Sequence, residues 1–189
     1  QLRTDPEVTY ATEFRYDTLS NVTRVTDAAG KATDLLHDDR GNLVETLSPD
    51  TGRTRFLYDA AGNLVTKIEN APAPGSAGGR VSSYSYDGLD RLTAINLPND
   101  PDWIFTYDAD ETKNQKGRLA SVTNGMVTIQ LEYTQRGDVA VERTIVDGLA
   151  YAVHYQYDAA GNRTRVQGPS GSRVDTIFAG LRPSTATIV

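Results

Sequence analysis

The sequence contains no cysteine. Disulfide frameworks, thiolate zinc sites and cysteine nucleophiles are therefore excluded. The absence fits the cytosol and a disulfide-free secreted protein alike. Histidine is nearly missing too: only His37 and His154 occur. No Ser/His/Asp arrangement, GxSxG, HExxH or phosphate-loop pattern is present. There is no basic excess. Net charge is −6, which argues against nucleic acid as a partner, because that affinity comes largely from Lys and Arg neutralising phosphates. No apolar run approaches the ~18 residues of a membrane span. No charged-then-apolar leader follows Gln1.

What is present is a repeat. Tyr-Asp sites recur at Tyr16-Asp17, His37-Asp38, Tyr58-Asp59, Tyr86-Asp87, Tyr107-Asp108, Tyr133-Thr134 and Tyr157-Asp158, with Phe178 as a degenerate eighth. Successive spacings are 21, 21, 28, 21, 26, 24 and 21. Self-similarity at such a period is the mark of a repeat architecture. The longer gaps contain insertions near 71–79, "APAPGSAGG", and 109–116, "ADETKNQK". Neither carries apolar periodicity, so both read as surface loops. No composition shift divides the chain, so residues 1–189 read as one repeat array.

Within a unit, a large apolar residue stands two positions before the motif aromatic: Phe14, Leu35, Phe56, Tyr84, Phe105, Leu131, Tyr155. That alternation predicts a strand with both residues on one face. A Gly-Asn/Arg-Leu run or a near variant follows, as in "GNLV" at 41 and 62, and then a second strand. A second turn signal closes the unit, such as "DAAGK" at 27 or "NG" at 124. One unit is thus one β-hairpin plus a turn, and the fold is all-β and antiparallel.

The motif residues have physical roles in such a hairpin. Asp17, Asp38, Asp59, Asp87, Asp108 and Asp158 cap turns through their carboxylates. Gly41, Gly62, Gly137 and Gly161 take the left-handed conformation that closes a type I turn with a bulge. Asn63 and Asn162 belong to the same turns, which explains the glycosylation-like patterns at Asn21 and Asn162 without any glycan. Tyr16, Tyr58, Tyr86, Tyr107, Tyr133 and Tyr157 form rungs of a buried stripe, with Leu43, Leu64, Leu92, Leu119 and Val139 filling the gaps between them. His37 replaces one rung and packs with a polar tip. His154 points to the other face. Stacking units shares stability between neighbours.

A ladder of identical carboxylates is a poor catalyst, since catalysis needs one converging constellation. The spacing also fits neither the EF-hand nor the calcium nonapeptide. No catalytic residue, metal or cofactor is expected. Asp108-Ala109-Asp110-Glu111 reads as a solvated loop. Arg53, Arg55, Arg80, Arg163, Arg165 and Arg173 could form a row for acidic glycans, but cross-strand pairing with Asp and Glu is the better reading.

The unit aromatic-x-Tyr-Asp-x-x-Gly-Asn/Arg-Leu, best seen in "RFLYDAAGNLV" at 55 and "YQYDAAGNRTRV" at 155, resembles the YD repeat of the Rhs family. That family includes bacterial polymorphic Rhs toxins, the C components of insecticidal Tc toxins, and teneurins. The likeness spans about Phe14 to Phe178. It implies a long antiparallel β-strip that curves or spirals into part of a hollow β-shell. It also implies a secreted or cell-surface bacterial protein. The implied partners are a toxin or effector polypeptide and neighbouring repeats of the same chain. The alternative function is a module binding a cell-surface glycan or receptor through exposed Tyr and Arg. The family's self-cleaving core carries Asp-Pro-x-Gly. Asp5-Pro6 and Asp100-Pro101 lack the following x-Gly, so no autoproteolytic residue carries over.

Overall fold

The structure is a computed structural model and describes residues 11–71, 78–179 and 182–188. Asp5-Pro6 and residues 72–77 of the first insertion lie outside them. Sixteen strands and one short 3-10 turn make up the regular structure among the described residues. The expectation of an all-β fold of antiparallel hairpins holds. The chain forms two compact units, Gln1–Asp90 and Arg91–Val189.

The first unit contains β1 (Glu13–Tyr16), β2 (Val22–Thr26), β3 (Ala32–His37), β4 (Leu43–Ser48), β5 (Gly52–Tyr58), β6 (Leu64–Glu69) and β7 (Arg80–Tyr86). Each pairs antiparallel with the next in chain order. The second contains β8 (Leu92–Asn96), β9 (Trp103–Tyr107), β10 (Leu119–Thr123), β11 (Val127–Tyr133), β12 (Val139–Val146), β13 (Leu149–Tyr157), β14 (Arg163–Gln167), β15 (Arg173–Ala179) and β16 (Arg182–Ile188). These too pair with their sequence neighbours. Short turns leave the chain no choice: a strand that reverses within a few residues lies beside its predecessor.

A bulge flanks the motif turn in repeat after repeat, on the returning strand. Leu57 pairs with Thr66 but Tyr58 pairs with Leu64, so Val65 is one residue extra on the returning strand. The same one-residue shift occurs at Tyr16, His37, Tyr107, Tyr133 and Tyr157. Bulges bend a strand and raise its twist, so here the twist is built in at each of these repeats.

The stripe is half-buried, which corrects the expectation of a buried ladder. Ala71 and Ala120 are the buried apolar residues among those described, and Phe14 and Tyr16 are 52% and 60% exposed. The reason is layering: within each unit the strands form a sheet, and a sheet face becomes a core only when a second layer covers it. Paired registers put Thr46, Thr54, Phe56 and Lys67 on the face of Tyr58, and Glu45, Leu47, Arg53 and Arg55 on the other.

Candidate functional site

The repeated turn is where the motif residues meet. In the turn after Tyr58, the Asp59 N–H donates to the Asn63 carbonyl at 2.9 Å and the Gly62 N–H donates to the Asp59 carbonyl at 3.2 Å. This three-residue loop requires a left-handed last residue. Gly41, Gly62, Gly137 and Gly161 all have positive φ, and so do Ser20 and Asp90, which stand at the same position in imperfect copies.

The Asp carboxylate clamps the loop from inside. Asp158 Oδ1 accepts from the Ala160 N–H and the Asn162 N–H, both at 2.9 Å, and Oδ2 accepts from Asn162 Nδ2 at 2.9 Å. Asp17 and Asp38 hold the same three contacts with Leu19 and Asn21, and with Arg40 and Asn42. Asp59 takes both donors of Asn63. The turn asparagines are thus donors to the Asp, a pairing that spacing alone did not reveal. Asp17, Asp38 and Asp158 are held below the usual carboxylate range first by the Asn side-chain amide, and Asp59 first by the Asn63 backbone N–H. Donors to the charged form favour it.

Divergent copies keep the geometry by other means. At Tyr133 the Asp position is Thr134, whose backbone N–H donates to the Asp138 carbonyl at 2.8 Å, while the Asp138 N–H donates to Thr134 Oγ1 at 3.2 Å. In the copy at Asp87, the carboxylate accepts from the Leu89 N–H at 2.9 Å and Asp90 takes the glycine position. In the copy at Asp108 the insertion falls between Asp and Gly, yet Asp108 Oδ1 still accepts from the Gly117 N–H. The insertion is not a loose loop. Asp110 caps a 3-10 turn at Glu111–Lys113, and buried Gln115 donates Nε2 to the Leu131 carbonyl at 2.6 Å.

The tyrosine hydroxyls carry a bond that sequence reasoning missed. Tyr58, Tyr86, Tyr107, Tyr133 and Tyr157 donate to the carbonyls of Leu43, Leu64, Leu92, Leu119 and Val139 at 2.8–3.0 Å. The acceptors Leu43, Leu64, Leu119 and Val139 each precede the extra residue of a bulge. The bulge opens the ladder there, and the next repeat's phenol supplies a donor. Burial first of all pushes the Tyr58, Tyr86, Tyr133 and Tyr157 hydroxyls up, so they remain protonated donors at neutral pH. The available signal was the choice of Tyr over Phe at the motif position. Tyr58→Phe or Tyr133→Phe should each lose about 1 kcal/mol, the worth of one internal hydrogen bond. Urea midpoints compared with Leu57→Val would check this.

His37 is the odd rung. Its Nδ1 is buried and has no hydrogen-bond partner. By register, the carbonyl a tyrosine would reach from this position is that of Val22. His37→Tyr should therefore stabilise the first unit by about 1 kcal/mol, read as a rise in its thermal or urea midpoint.

Turns are also tied to the next turn along. Arg40 reaches the Ala60 carbonyl, Asn63 reaches Asp90, Arg91 reaches Asp108, and Arg136 reaches the Asp158 and Ala159 carbonyls, all at 2.8–3.1 Å. Arg91 also lies 4.3 Å over the Tyr107 ring.

Four of the six arginines of the row pair with carboxylates as expected. Arg53 and Arg55 share Glu45, and Arg165 and Arg173 share Asp175. Arg163 lies over the Tyr155 ring at 5.6 Å. No group of three or more His, Asp or Glu suited to a metal ion is found among the described residues. No helix among them is long and apolar enough to cross a membrane.

Comparison with known proteins agrees with this geometry. The RHS Repeat family matches residues 37–71. No curated protein matches. Among solved structures, the Photorhabdus luminescens Tc holotoxin pore is similar over 94% of this chain at 18% identity and a TM-score of 0.73. The complex TcdB2-TccC3 without its hypervariable C-terminal region is similar over 95% at 16% identity and 0.72, and TcdB2-TccC3-Cdc42 over 99% at 17% and 0.71. At such identities the likeness concerns the fold. This chain spans about a tenth of the length of those chains: 10%, 10% and 11%. Residues 37–71 match the RHS Repeat family directly, and the same sequence unit recurs from Tyr16 to Tyr157.

Proposed function

We propose that this chain is a non-enzymatic structural stretch of a β-shell that encapsulates or presents a toxin or effector polypeptide. The observation that carries this reading is the repeated use of the motif's polar groups. Clamp carboxylates accept from their own turns, and five phenols donate to the preceding repeat's backbone. Groups spent identically in successive repeats build scaffold, whereas a catalytic set converges on one place. The 21-residue register passes unbroken from Tyr86 to Tyr107, which supports reading residues 1–189 as a single array. The named motif residues are then architectural in role. Secretion or surface display in a bacterium follows from the same reading. The arginines' ion pairs weigh against a glycan-binding row.

The test uses the complete natural gene product. Protease is added before and after mild opening of the particle, and the C-terminal polypeptide is followed by mass spectrometry. Protection before opening and digestion after it supports encapsulation. Equal digestion in both states rejects it. Asp59→Asn with Asp158→Asn separates scaffold from enzyme: a scaffold loses stability, while an enzyme keeps its fold and loses turnover.

A further inference from the structure

The turn between β10 and β11 contains the chain's single Asn-Gly dipeptide, Asn124-Gly125. It differs chemically from the motif asparagines. Asn21, Asn42, Asn63 and Asn162 donate Nδ2 to an Asp carboxylate and precede Val22, Leu43, Leu64 and Arg163. Asn124 instead offers its Oδ1 to two backbone donors, the Met126 N–H at 3.1 Å and the Val127 N–H at 2.9 Å. Gly125 is exposed, has φ 84°, and a Cβ placed on it would meet nothing within 4 Å. Its N–H donates to Thr123 Oγ1 at 3.1 Å.

We propose that Asn124 is a site of spontaneous covalent modification, in which its side chain closes onto the Gly125 nitrogen and is converted to an aspartyl or isoaspartyl residue. Hydroxide removes the proton from the Gly125 nitrogen, and that nitrogen attacks Asn124 Cγ. The new C–N bond places negative charge on Oδ1, where the Met126 and Val127 N–H groups already point; donors aimed at a developing oxyanion lower the barrier. The Cγ–Nδ2 bond then breaks. Ammonia leaves with a proton from water, which returns the hydroxide. Water adds to either carbonyl of the resulting five-membered imide and opens it. One opening restores the normal main chain with a new carboxylate. The other carries the main chain through the former side chain and adds a methylene to the turn. Glycine permits the attack because no side chain shields its nitrogen.

In the motif turns the next residue is bulky, and the amide nitrogen that would have to leave is held by an Asp. The experiment incubates the folded protein at mildly alkaline pH and maps its peptides over time. The expected result is the Asn-to-Asp mass gain at position 124, with isoaspartate beside aspartate, at least roughly tenfold faster than at Asn42, Asn63 or Asn162, in line with the effect of oxyanion donors. Asn124→Gln should abolish the gain while leaving the circular dichroism spectrum intact. No gain at position 124 in the folded protein would overturn the proposal. So would a gain that appears only after denaturation, since the fold would then be protecting the site.

Discussion

Gly62→Val should destabilise the first unit by about 2–3 kcal/mol, and Gly161→Val the second by a similar amount, costs expected of a β-branched residue held far into positive φ. The reason is conformational, not steric. Gly62 has φ 94°, and a Cβ there would meet nothing within 4 Å. Space is available; the backbone state is not. Gly161 has φ 87°, with Arg136 Nη2 3.2 Å from the added Cβ, a flexible neighbour that can move. The imperfect copies supply the control. Ser20 and Asp90 occupy the same turn position at φ 68° and 58°, nearer the left-handed well that non-glycine residues tolerate. Gly62→Asn should therefore cost clearly less than Gly62→Val. Denaturation midpoints followed by tyrosine fluorescence measure both. Equal midpoints for wild type and Gly62→Val would remove the left-handed turn from the account.

Acid should unfold the repeats through the clamp carboxylates. Asp17, Asp38, Asp59 and Asp158 are all held below the ordinary carboxylate range in the folded protein. A lowered folded-state value means that the clamp contributes fully above the unfolded value, about 3.9 for Asp. That contribution disappears as pH falls through the folded values, because the protonated carboxyl no longer draws the Asn amide and the backbone N–H groups. Thermal midpoints should therefore be flat from neutral pH to mild acid and then fall steeply. The combined Asp38→Asn, Asp59→Asn and Asp158→Asn protein should be less stable at neutral pH and show a shallower acid fall. An unchanged acid slope in that variant would assign the acid sensitivity to the Arg24–Asp34 and Arg165–Asp175 pairs, where Asp34 and Asp175 are lowered first by their arginine partners.

Much of this architecture was legible in order. Period 21, Phe56 two before Tyr58, and Asp59-x-x-Gly62 together specify strand, turn and return. Three local preferences agree on one hairpin, and agreement across levels is what makes a sequence readable. The ion pairing of Arg53 and Arg165 was legible too, because cross-strand neighbours follow from register.

The bulge was not. An extra residue such as Val65 leaves no compositional trace, since a bulged valine and a paired valine look alike in a strand. The phenol bonds were hidden with it. Tyr58 and Leu43 are fifteen residues apart in different repeats, and only the pairing of β4 with β5 places that hydroxyl against that carbonyl. The docking of Gln115 was likewise unreadable, because nothing in "ADETKNQK" marks which polar residue turns inward.

By itself the sequence determined the repeat, the turn chemistry and the antiparallel order, all of which depend on residues within one 21-residue unit. The tertiary structure decided the half-burial of the tyrosine stripe, the recurrent strand bulge and the hydroxyl bonds from one repeat to the preceding one. These depend on where one repeat's backbone lies against its neighbour's, and on whether a second layer covers the sheet, neither of which is encoded at any single position.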